Sequence, residues 1–269
     1  MKTKTFAGLV LLFALCFTAC VGDETTSDTT EATKNEATKD ALLILIDKTI
    51  SSAPPKRRRT AFLKYTANQV IETLQNPDDC VRGHFIQENT TGSTAFLRSP
   101  KIPAYETPQR GGGKTQKEAE RKYQFRLDGL RGQCNKQLRE GADLINTTDT
   151  RLQTDLWGIL EIASRFFSEA DYQNKQIIIL SDLEESMPGK DRRDFHAQPI
   201  QSKSQAEAFA KADVDTIRQL LDIDKNVLKG AVVTVFQPFG PLEDSDFELN
   251  RYYWETLFEA FGVTEVHVK

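Results

Sequence analysis

Asp47-Lys48-Thr49-Ile50-Ser51 places a carboxylate and two hydroxyls at alternate positions of one short stretch of chain. On a strand-to-loop turn, three oxygens with that spacing can converge on one point. Thr154, ahead of a helical apolar pattern, and Asp182, directly after an apolar run, bring further oxygen donors. All five side chains are hard donors, which suit magnesium, manganese or calcium and not a soft metal. Other constellations carry less chemistry. Gly111-Gly112-Gly113-Lys114-Thr115 has Pro108 where a phosphate loop needs its first glycine, and no apolar strand leads into it. His84, His196 and His267 lack metal-ligand spacing, and no Gly-x-Ser-x-Gly elbow is present.

The elements that must carry these residues are legible as an alternation. Ala41-Leu42-Leu43-Ile44-Leu45-Ile46 is continuously apolar and stops at Asp47, as a central parallel strand buried on both faces does. Helical spacing runs over 57–75, with a strand expected over 80–88 and a short edge strand over 93–98. A proline- and glycine-rich loop then leads into a long helix whose stripe includes Leu127, Cys134 and Leu138 and nears its end at Gly141. A helical face from Leu156 to Phe167 precedes the strand Gln176–Leu180, which ends at Ser181-Asp182. A helix over 206–221, a strand over 231–236, a helix over 252–261 and a strand over 263–268 complete the chain. Alternation of this kind predicts an α/β fold, doubly wound, with a mostly parallel central sheet and helices on both faces. Ligands of such sheets bind at the carboxyl ends of the strands, where Asp47 and Asp182 stand.

D-x-T-x-S, a later Thr before a helix and a later Asp after an apolar strand resemble the von Willebrand factor A domain with its metal-ion-dependent adhesion site. The resemblance spans the order of elements over about 40–269 and is specific at Asp47, Thr49, Ser51, Thr154 and Asp182. It implies a bound Mg2+, or alternatively Mn2+ or Ca2+, held by those five residues. The resemblance further implies a partner protein that supplies an acidic residue to the open metal position, and no catalysis. Asp182-Leu183 stands where the family often has Asp-Gly, and the segment 99–150 reads as an insertion. Asp47-Lys48-Thr49 also resembles the nucleophile motif of haloacid dehalogenase-type phosphatases, with the acids at 182, 184 and 185 as a magnesium motif. Those phosphatases usually carry a second Asp as general acid where this chain has Thr49, a hydroxyl that cannot do that work near neutral pH.

The first 19 residues, two lysines and an apolar run closed by Thr18-Ala19, read as an export signal, and Cys20 as the lipidated residue of a bacterial lipoprotein. The expected address is the bacterial cell envelope, anchored to a membrane through Cys20 at the outer membrane, periplasm or cell surface. Residues 20–40 are too poor in apolar side chains to order themselves and read as a tether to a domain over 41–269. The whole chain carries a net charge of -4, which deepens to -6 once Lys2 and Lys4 are removed. That balance argues against a nucleic-acid surface working through bulk electrostatics and leaves only local basic patches such as Lys56-Arg57-Arg58-Arg59. Cys80 and Cys134 remain, either as a disulfide or as two separate buried thiols. Lys56-Arg57-Arg58-Arg59 reads as a solvated helix start, and Glu184, Glu185 and Asp191 as the rim beyond Asp182.

Overall fold

The computed structural model describes residues 38–49, 53–109, 112–144, 153–189, 191–239 and 246–269. The apolar run after residue 40 becomes β1, Asp40–Asp47, buried from Ala41 to Asp47 because helices cover both of its faces. It pairs in parallel with β2, Cys80–Ile86, and with β4, Asn174–Leu180, whose Leu180 lies opposite Ile46. Parallel pairing continues to β5, Ala231–Phe236, and β6, Glu265–Val268. The short edge strand β3, Leu97–Arg98, runs antiparallel to β2. The six strands lie in the order β3-β2-β1-β4-β5-β6, a doubly wound, Rossmann-like sheet whose winding reverses between β1 and β4.

Alternate side chains of β1 serve two cores. Leu42, Ile44 and Ile46 face α1, Lys56–Thr73, and α2, Gly113–Asp143. Leu43 and Leu45 face α3, Gly158–Phe167, α4, Lys203–Leu221, and α5, Phe247–Ala260. The expected elements are all present, with shifted ends. The edge strand shrinks to two residues, and α5 begins five residues earlier than 252 because Phe247 is wholly buried under it.

The segment expected as an insertion is chiefly α2, 31 residues and about 46 Å long at the usual helical rise. Its second half is core: Leu127, Cys134 and Leu138 are buried against α1 and the sheet. Its first half is open, with Phe125 81% exposed. Gly141 lies within the helix and not past its end. The Phe96 ring packs over both Gly141 and Gly83, where an added Cβ would stand 2.4 Å and 2.6 Å from it. Close approach of an aromatic ring, and not helix termination, accounts for that glycine. No helix among the described residues is long and apolar enough to cross a membrane.

Candidate metal site

Asp47 ends β1 with no solvent exposure. Its Oδ1 accepts from the Thr49 backbone N–H at 2.9 Å and from the Thr49 hydroxyl at 2.7 Å, bonds an ordinary turn would also make. Its Oδ2 accepts from the Ser181 hydroxyl at 2.8 Å, a contact from the neighbouring strand end and outside any local turn. Ser181 Oγ in turn accepts from the Leu183 N–H at 3.0 Å. Asp47, Thr49 and Ser181 thus form one hydrogen-bonded unit at the reversal point of the sheet. Ser51 lies outside the described residues.

Asp182 follows Ser181, is 6% exposed, and accepts from the Glu184 N–H at 3.1 Å. Leu183 adopts φ +62°, the left-handed region where side chains other than glycine cost about 1–2 kcal/mol. It is the position where the family resemblance carries glycine. Leu183 is held there by complete burial and by its carbonyl, which accepts from Trp254 Nε1 at 3.0 Å.

Thr154 stands in the loop before α3, as expected, and is 3% exposed. Its N–H donates to Ser186 Oγ at 2.8 Å, and its carbonyl accepts from the Ser186 N–H at 3.1 Å. Those reciprocal bonds stitch the Thr154 loop to the loop that carries Asp182. Four of the five expected ligands therefore sit buried at one end of the sheet, on loops and strand ends joined by hydrogen bonds. The donors are all oxygen and fit a hard divalent cation. Among the described residues no three His, Cys, Asp or Glu side chains form a metal-binding group, so a cation here would take hydroxyl ligands beside the two aspartates.

The chain matches no protein-family model and no curated protein. Function must therefore be read from the site.

Several residues around that site carry no motif. Asp155 accepts from Gly158 N–H at 3.0 Å and Thr90 N–H at 3.2 Å. Glu185, expected on the rim, has no exposure: Oε2 accepts from the N–H groups of Leu156 at 2.7 Å and Trp157 at 3.0 Å. Arg192 lies 2.5 Å from both Asp155 Oδ1 and Glu185 Oε1. Burial pushes the Glu185 carboxyl above the usual carboxylate range, against the pull of Arg192 and the Trp157 amide. The one signal for Glu185 in the sequence was its place three residues after Asp182, which does not distinguish rim from core. Glu184 pairs with His196 at 3.1 Å, and Asp191 is exposed, so these two do stand at the surface.

Cys80 and Cys134 are separate thiols. Cys80 packs with the α3 side of the sheet and Cys134 with the α1/α2 side, so the sheet stands between them. Burial raises both thiols, Cys134 up to about 11. Lys56 and Arg57 are exposed at the start of α1, while Arg59 pairs with Asp143. Lys114 and Thr115 lie in the first turn of α2, and among the described residues no strand leads directly into it, unlike a phosphate loop.

Proposed function

We propose that the chain is a divalent-cation-dependent binding module of the von Willebrand factor A type, lipid-anchored through Cys20 at the bacterial cell envelope. Asp47, Thr49, Ser51, Thr154 and Asp182 hold Mg2+, with Mn2+ or Ca2+ as alternatives. The open coordination position takes an acidic residue from a partner protein. What supports this reading is the burial of Asp47, Thr49, Thr154 and Asp182 at the end of the sheet where the winding reverses, with the Thr154 loop stitched to the Asp182 loop by the bonds to Ser186. A phosphatase reading would have Asp47 attack a phosphoester, and complete burial of that side chain weighs against it.

The test is magnesium titration of the whole chain in detergent by calorimetry, beside a Thr154→Ala/Asp182→Ala variant. Saturable binding that the variant loses is the expected outcome. A folded parent that takes up neither magnesium nor manganese would remove the metal-bridge reading.

A further inference from the structure

We infer that Arg192 and Glu185 form a clamp that positions the Thr154 loop, and with it the metal site; the link to the metal rests on the function proposed above. Arg192 comes from the irregular segment between β4 and α4. Its Nη2 reaches Asp155 Oδ1 and Glu185 Oε1, each at 2.5 Å, and its guanidinium lies 4.8 Å from the centre of the Trp157 ring. Glu185 uses its other oxygen to hold the amides of Leu156 and Trp157, the last two residues before α3. Asp155 is further tied to the end of β2, its N–H donating to the Gln87 carbonyl at 3.0 Å and its Oδ2 accepting from Thr90 N–H at 3.2 Å.

Each of the three residues after Thr154 is therefore gripped by Arg192, by Glu185, or by both. Ser186, which holds Thr154 itself, is the next residue along from Glu185. Asp47 sits on a rigid strand end, whereas Thr154 and Asp182 are on loops, so the distance of Thr154 from the aspartates depends on what pins its loop. A guanidinium suits this task because one of its nitrogens, Nη2, meets both carboxyl groups while its plane lies over the Trp157 ring, a stack that a lysine's flexible stem and compact ammonium do not reproduce. Arg192 and Glu185 touch no expected ligand side chain through these bonds; they are positioning residues.

The experiment compares the whole chain with Arg192→Lys and with Arg192→Met/Glu185→Gln, reading Mg2+ affinity by calorimetry and amide exchange by NMR or mass spectrometry. In the double variant the clamp predicts Mg2+ binding about tenfold weaker, the low end of the loss seen when a ligand's own hydrogen-bond partner is removed, because the clamp acts through the loop and not on a ligand directly. Amides of Leu156 and Trp157 should exchange faster while those of β1 and β4 are unchanged, and Arg192→Lys should fall between parent and double variant. Unaltered Mg2+ affinity in a double variant whose parent binds the ion overturns the inference, whatever its stability. If the parent binds no Mg2+, the metal reading fails by itself; the clamp then stands on faster loop exchange and falls if exchange is unchanged. Should the double variant not fold, Arg192→Lys decides by the same two readings.

Discussion

The α1/α2 face of the sheet buries Arg131, which donates from Nε and Nη2 to the Leu74 carbonyl at 3.0 Å and 2.8 Å. The α3 face holds a half-buried Arg192 between two buried carboxyl groups, at 2.5 Å from each. Arg131 meets the unpaired carbonyl end of α1, the ordinary place for a cation at a helix C-terminus, and its acidic neighbour Asp128 is exposed. Arg192 instead balances acids that are 8% and 0% exposed. The rest of each face follows suit. Around Arg131 the core is mainly aliphatic, with Leu42, Ile44, Ile46, Val70 and Leu138. Around Arg192 a polar thread continues from Trp157 Nε1 to Tyr253 OH at 2.9 Å, and on to Asp213 at 2.9 Å, which Arg193 grips at 2.7 Å and 2.8 Å. One face is packed to hold the sheet, and the other is wired to hold loops at the end of β1 and β4.

The largest expected effect is at Arg192. Arg192→Met leaves Asp155 and Glu185 buried together without their cation and should cost about 3–5 kcal/mol in urea unfolding. Arg131→Met removes bonds to one helix-end carbonyl and should cost less, about 1–3 kcal/mol by the same measurement. Equal losses would break the distinction between the two faces.

A smaller effect sharpens it through pH. His84, on the α3 side of β2, is pushed down to about 4 by burial, from an ordinary value of 6.5. The unfolded chain takes up this proton more readily than the folded one, so His84 contributes stability above about 6.5 that is lost as pH falls towards about 4. Glu185, raised by burial, slopes the opposite way over part of that range, so the readout is the difference between parent and His84→Phe. The variant should lose stability on acidification less steeply than the parent, by roughly 1 kcal/mol per pH unit at most. Parallel unfolding curves across that window would show that this histidine is not the acid-sensitive group.

The smallest change is expected on the open half of α2. Phe125→Ser should alter unfolding free energy by no more than about 0.5 kcal/mol, because a side chain 81% exposed gives up little on replacement. A loss of several kcal/mol would mean that this half of the helix is packed in solution.

Most of the fold could be read from local pattern. Continuous apolar runs mark β1 and β4 because a parallel strand covered on both faces has no solvent side to alternate with. Asp47 and Asp182 are legible for the same reason, as the first acids where those runs stop. The ends of α5 and the two-residue β3 were not, since burial of Phe247 and the approach of Phe96 to Gly83 are set by neighbours distant in sequence.

Sequence alone therefore determined the order of elements and the placing of Asp47 and Asp182 at one end of the sheet, since strand period and strand ends are local properties of the chain. Only tertiary structure decided which acids are paired. Nothing in Ser-Asp-Leu-Glu-Glu-Ser distinguishes Asp182, Glu184 and Glu185, yet around the backbone turn at Leu183 Asp182 is buried and accepts from the Glu184 N–H, Glu184 meets His196 at the surface, and Glu185 is buried against Arg192 and the amides before α3. It likewise set Cys80 and Cys134 on opposite sides of the sheet. Those outcomes depend on which side of the sheet each side chain meets, and contacts between distant segments carry no local pattern.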